Sequence, residues 1–85
     1  MTADDARRRA AALRDALGVP GTFAPFSAEL AIVQIVEGRD PASSTPPAPG
    51  PVRDVRAWVV RLRDDTAIVE IAIEDGSAAL VRFLR

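Results

Sequence analysis

Apolar residues recur along this chain with two different periods. In residues 3–17, Ala6, Ala10, Leu13 and Leu17 fall three or four positions apart and share one face of a helix. Thr2 can cap that helix, Asp4 and Asp5 place negative charge in its first turn, and Gly18 with Pro20 stops it. Asp4 to Arg8 and Asp5 to Arg9 are ion pairs of favourable order, each worth about 0.3–0.5 kcal/mol. In residues 28–37 the Ile and Val content suits a strand, but a strand would have two mostly apolar faces. Wound as a helix, the segment gathers Ala28, Ala31, Ile32, Ile35 and Val36 on one side, with Glu29, Gln34 and Glu37 opposite. With Ser27 as cap, Phe26 as staple and Gly38 as left-handed terminator, the pattern predicts a second helix.

From residue 56 the period is two. The runs RAWVVRLR (56–63) and TAIVEIAIE (66–74) are separated by Asp64-Asp65, and a two-residue loop pairs Arg63 with Thr66. That register, or the four-residue loop with the same pairing, sets Trp58, Val60 and Leu62 on one face with Ala67, Val69, Ile71 and Ile73. A slip of one residue would put Trp58 among charged side chains. At the second turn, a tight Asp75-Gly76 loop would bury Arg82 opposite Val69 without a partner. A three-residue loop, Glu74-Asp75-Gly76, with Gly76 left-handed, instead brings Ala79, Val81 and Phe83 onto the Trp58 face. The predicted fold is therefore α+β: two N-terminal helices packed on one face of a three-stranded antiparallel meander.

Between these halves, RDPASSTPPAPGPVRD holds five prolines at positions 41–51 and no apolar period, which predicts a mobile loop at 39–51. Its bare Pro46-to-Pro49 spacing lacks the Arg that orients polyproline ligands, so it reads as a spacer. The 85 residues suit one domain, 1–85, and a chain this small buries only about 60–65% of its unfolded surface.

Charge and composition narrow the function. A net charge of −1 gives no field to draw nucleic acid or an anionic membrane. Arg7, Arg8 and Arg9 point about 100° apart around a helix and read as solvated surface. The chain has neither Cys nor His, which removes disulfides, thiolate metal sites and the commonest general base, and no cofactor or metal is expected. Asp64 and Asp65 occupy one turn, Glu74 and Asp75 the next, and consecutive turns of a meander lie at opposite ends, so these carboxylates cannot converge on a hard cation. The charged N-terminus lacks a signal-peptide core, and no run approaches the ~20 apolar residues of a membrane span, which predicts a cytoplasmic location.

The face opposite Trp58 is where function is expected. It sets Arg61, Glu70 and Arg82 close together across neighbouring strands, a ladder worth about 0.2–1 kcal/mol per pair. It also carries Val59, Ile68, Leu80 and Leu84, an aliphatic contact patch with no covering element. Glu70 is the one carboxylate placed mid-strand, and two flanking arginines suit it to ion pairing rather than proton transfer, so an enzyme is not expected. The predicted role is a protein-binding or regulatory module using the outer face or an open edge strand; the alternative is a self-associating protein, a homodimer through the same face.

The residues VRAWVVRL and AIVEIAIEDGSAALVRF, preceded by an Ala-rich helix, resemble the PepSY-type module: a Trp-containing strand, a strand ending in an acidic-Gly turn, and a closing strand. The resemblance implies a non-catalytic α+β module that binds or restrains protein partners. In that family the turn usually reads Asp-x-x-Gly, whereas here Gly76 directly follows Asp75.

Overall fold

The computed structural model describes residues 1–38, 40–42 and 50–85. It contains one helix, α1 (Ala3–Ala16), and four strands, β1 (Ala24–Val36), β2 (Val52–Arg63), β3 (Ile68–Glu74) and β4 (Leu80–Leu84). The strands form one antiparallel sheet in the order β1-β2-β3-β4. The fold is α+β, but one helix on four strands replaces the expected two helices on a three-stranded meander. Most of the proline-rich loop lies outside the described residues.

Helix α1 is built as its sequence dictates. Thr2 Oγ1 accepts from the Asp5 N–H at 3.2 Å while the Thr2 N–H donates to Asp5 Oδ2 at 3.0 Å, a reciprocal capping box. At the other end Gly18 turns left-handed at φ 73°. The Gly18 N–H bonds to Asp15 O, and the Val19 N–H reaches Arg14 O. This is a Schellman closure, and its following residue, Val19, is buried. The surface ion pairs take i,i+3 spacing instead of i,i+4: Arg7 to Asp4 and Arg8 to Asp5, each 2.9 Å. Arg9 instead donates to the carbonyl of Ala78. Ala6 and Ala10 are fully buried, and Leu13 and Leu17 pack beside them onto the sheet.

The segment expected to be a second helix is the 13-residue strand β1, paired with β2 from Ala24↔Arg63 to Val36↔Val52. The two-sided apolar pattern that argued against a strand is what this strand needs, because both of its faces meet apolar clusters. Ala28 packs into the cluster beneath α1, with Val60, Leu62, Val69, Ile71, Ile73 and Phe83. Val33 is buried and Ile35 partly buried in a second cluster on the opposite face, with Val55, Ala57, Val59 and Ala72.

Among the described residues nothing helical packs on that second cluster. Residues 57–63 of β2 pair with β3 and the Arg56 carbonyl accepts from the Asp75 N–H, whereas residues 52–55 pair with β1 alone, so the β1–β2 hairpin projects beyond β3 as a two-stranded ribbon. Ile35 of β1 and Val81 of β4 pack on the same cluster, although strands three spacings apart lie ~14 Å apart in a flat sheet. Ile35 and Val36 also line one open groove with Leu80 and Val81, so the sheet curls and draws the ribbon toward β4, in keeping with the strong twist of two-stranded ribbons. Ala57 and Ala72, both fully buried, leave room for that approach.

The β2–β3 faces are as expected: Trp58, Val60 and Leu62 oppose Ile73, Ile71 and Val69. Of the two even loops, the four-residue one forms, over residues 64–67, so that Arg63 pairs with Ile68 and not with Thr66. Asp64 Oδ1 accepts from the Thr66 N–H, the Thr66 hydroxyl and the Ala67 N–H, which closes the turn around one carboxylate oxygen. Trp58 lies on the α1 face but is only half-buried, and its indole N–H donates to Asp75 Oδ1 at 3.1 Å.

The second turn is longer than the expected three residues. Glu74 N–H bonds to Ala79 O and Ala78 N–H to Glu74 O, with both Gly76 (φ 100°) and Ala78 (φ 61°) left-handed. The β3–β4 register then shifts between Ala72↔Arg82 and Ile73↔Leu80, leaving Val81 unpaired. This irregularity exchanges two side chains relative to expectation: Leu80 packs on the α1 face and Val81 on the outer face.

Two outcomes test this account. Leu62 is fully buried at the centre of the α1-side cluster, so Leu62→Ala should cost about 2–5 kcal/mol and Arg7→Ala under about 0.5, read as urea midpoints. Asp5, held by hydrogen bonds from Thr2, and Asp64, held by hydrogen bonds from Thr66, have pKa values below the ordinary aspartate value. Their contribution is therefore fully present above the unfolded-state pKa and is lost as pH falls through the lower folded values. Asp5→Asn with Asp64→Asn should flatten the acid side of a stability-against-pH profile; an unchanged acid limb would refute it.

Candidate functional site

Parity along the strands brings three of the expected outer-face residues together. Arg61 Nε lies 3.3 Å from Glu70 Oε1, directly across β2 and β3, and Arg82 Nη2 lies 3.0 Å from Glu70 Oε2. Glu29 extends the row, 3.7 Å from Arg61. The four side chains alternate in sign and run across all four strands, with Glu70 the least exposed. Glu29 joins the row only because residues 24–36 form a strand and not the helix that the periodicity predicts.

The four aliphatic residues expected beside this ladder do not form one patch. Val59 is 5% exposed, buried in the outer-face cluster with Val33, Val55, Ala57 and Ala72. Leu80 packs with the α1-side cluster. Ile68 and Leu84 remain exposed, at 55% and 39%. The apolar centre of the outer face is thus satisfied within the chain.

Where the ribbon approaches β4, an open groove of about 390 Å³ forms, with Ile35, Val36, Leu80 and Val81 among its walls. Its charged side chains are engaged with one another or with neighbours: Arg53 to Glu37 at 2.9 Å, Arg82 to Glu70, and Glu74 accepting from the Ser77 hydroxyl at 2.6 Å. Among the described residues, no three acidic side chains gather at a metal-binding spacing, and no helix is long and apolar enough to cross a membrane.

A different feature is open to an extended partner: the free edge of β1. The Glu37 N–H bonds to Pro51 O at 2.8 Å, which fixes the alternation of the β1–β2 ladder. Odd-numbered residues of β1 turn their backbone groups toward β2. Ala28, Leu30, Ile32, Gln34 and Val36 turn theirs outward. Among the described residues no hydrogen bond reaches these outward groups. Along the same edge two large apolar side chains are accessible, Ile32 at 66% and Leu30 at 39%, with Val52 at 59% on the neighbouring strand.

The two edges of the sheet differ in how they are defended. β4 is five residues long, carries Arg82, and is interrupted at Val81. β1 is irregular only at its start, where the register shifts between Pro25 and Ser27 and the Arg63 guanidinium lies 4.7 Å from the centre of the Phe26 ring. From Ser27 onward it holds no proline, no glycine and no lysine before Gly38. The signal that could have located it is the β-branched run Ile32, Val33, Ile35 and Val36.

No family model, characterised protein or solved structure matches the chain. The PepSY resemblance accordingly rests on the residue pattern alone.

The ladder has a measurable consequence. Glu70→Gln weakens two ion pairs at the least exposed carboxylate and should lower stability by about 1 kcal/mol, whereas Glu29→Gln at the exposed end should change it by under about 0.5 kcal/mol. Urea titrations at low and high salt check both, and the Glu70 effect should shrink as salt rises.

Proposed function

We propose that this chain is a non-enzymatic protein-binding module that accepts an extended segment on the free edge of β1. The observation that carries the reading is the outward backbone of residues 28–36, unpaired among the described residues, beside the exposed side chains of Leu30 and Ile32. An extended segment would supply the missing donors and acceptors, and the neighbouring apolar side chains would favour alternate residues of the partner. Binding through the outer face has less support, because Val59 is already covered and Ile68 and Leu84 alone offer little apolar area.

The test replaces Ile32. Its N–H points away from β2, so Ile32→Pro removes an outward donor while sparing the β1–β2 ladder. Ile32→Lys places a charge on the edge. Tagged wild-type chain should retrieve a polypeptide from its native lysate that both variants lose and Ile68→Lys keeps. Equal retrieval by all four proteins would refute edge recognition.

A further inference from the structure

Resting on the reading of β1 as an open edge, we infer that the segment it accepts is β1 of a second copy, paired antiparallel about a two-fold axis through Ile32. The uninterrupted part of the edge begins at Ser27, after the irregularity at Phe26, and ends at Glu37, whose N–H closes the hairpin on Pro51. Its midpoint is Ile32. A two-fold at that residue sets Ser27 against Glu37 of the other copy and uses the full regular length of both strands. Any other centre leaves one end of each strand unpaired.

The backbone groups agree with this centre. Ala28 meets Val36 of the other copy, Leu30 meets Gln34, and Ile32 meets Ile32, so every outward-facing residue finds another outward-facing residue. The pairing forms about ten hydrogen bonds, two for each such pair. Charge discriminates between neighbouring registers. Centring on Val33 would set Glu29 directly opposite Glu37, a like-charge contact that destabilises a sheet. Centring on Ile32 sets Glu29 opposite Ile35, while Glu29 and Glu37 keep their own partners Arg61 and Arg53.

Side chains agree as well. Beneath α1, the first part of β1 is packed at Ala28, whereas Leu30 and Ile32 emerge into solvent on the same face. Antiparallel pairing sets the two Ile32 side chains beside each other at the axis, flanked by Leu30 of each copy. The exposed apolar stripes of the two chains then become one. Because residues opposite each other in a sheet share a face, both helices lie on the same side of a continuous eight-stranded sheet.

The experiment follows the purified full chain by light scattering and residue-resolved amide exchange over a wide concentration range. The expected mass rises from 9.1 kDa toward twice that value. Amides of Leu30, Ile32 and Gln34 should gain protection as the mass rises, while those of Ala31 and Val33, bonded to β2, should be protected throughout. Ile32→Lys should restore the single-chain mass with an unchanged circular dichroism spectrum, and Ile68→Lys should leave the two-chain mass intact. A single-chain mass up to millimolar concentration would overturn the proposal. So would a dimer whose even-numbered β1 amides still exchange freely, or one dissolved by Ile68→Lys and not by Ile32→Lys. A single-chain mass combined with Ile32-dependent capture from lysate would overturn the second copy as partner and leave edge recognition standing.

Discussion

Strand β2 must satisfy apolar groups on both of its faces, and the rest of the molecule follows from how it does so. Its even residues Val60 and Leu62 enter the cluster under α1, and its odd residues Val55, Ala57 and Val59 enter the cluster on the other side. A single 14-residue helix can cover only one of these. The β1–β2 hairpin, lengthened past β3, contributes Val33 and Val55 to the second, with Ile35 packed beside them. Burying the five residues of that second cluster contributes in proportion to area, at ~25 cal/mol per Å². The small side chains of Ala57 and Ala72 follow from the same need: bulk at either position would hold the ribbon off the sheet.

Coiling also organises the charges. Glu29, Arg61, Glu70 and Arg82 occupy one oblique row across the outer face, beside the curled ribbon rather than under it. Glu70 sits in the middle with a guanidinium on each side, so its oxygens are divided between Arg61 and Arg82. The outer face is then closed at its apolar end by the chain itself and neutralised at its polar end by paired charges. What stays unsatisfied is displaced to the edge of β1.

The sequence discloses those parts whose determinants are local. Thr2, Asp5 and Gly18 mark the ends of α1 through hydrogen bonds made within a few residues. The alternation of 58–62 and 69–73 gives the faces of β2 and β3 whichever even loop joins them. Strand β1 was not legible because its evidence is non-local: two apolar faces argue against a strand only if one face is wet, and the second cluster is assembled from four strands far apart in sequence. The exchange of Leu80 and Val81 was hidden for a related reason. Ala78 adopts φ 61° although alanine has no preference for the left-handed region, so no residue type announced the longer turn or the irregularity after it. Arg82 and Phe83, beyond that irregularity, keep the faces that burial of a charge or exposure of a ring would forbid them to exchange. At the contact site the ladder was legible in three of its four members. The β1 edge was not, since an edge exists only once the strand does.

An open edge on a nearly neutral chain differs from one on a highly charged chain. With a net charge of −1, little long-range repulsion opposes the approach of a second copy. Of the charges along β1 itself, Glu29 is turned to the outer face and held toward Arg61, which leaves Leu30 and Ile32 as the side chains that meet an approaching strand on the α1 face. β4 shows that the fold can blunt an edge, with a short strand, an arginine and a break in register. None of these devices interrupts residues 27–36. The residues that make β1 competent to cover the second cluster, the β-branched run around Val33, are also those that hold its backbone extended and its outward groups in line. Internal cover and external pairing thus draw on the same segment, and a substitution that relieves one, such as charge at an even position, leaves the other in place because the two use opposite faces and opposite sides of the strand.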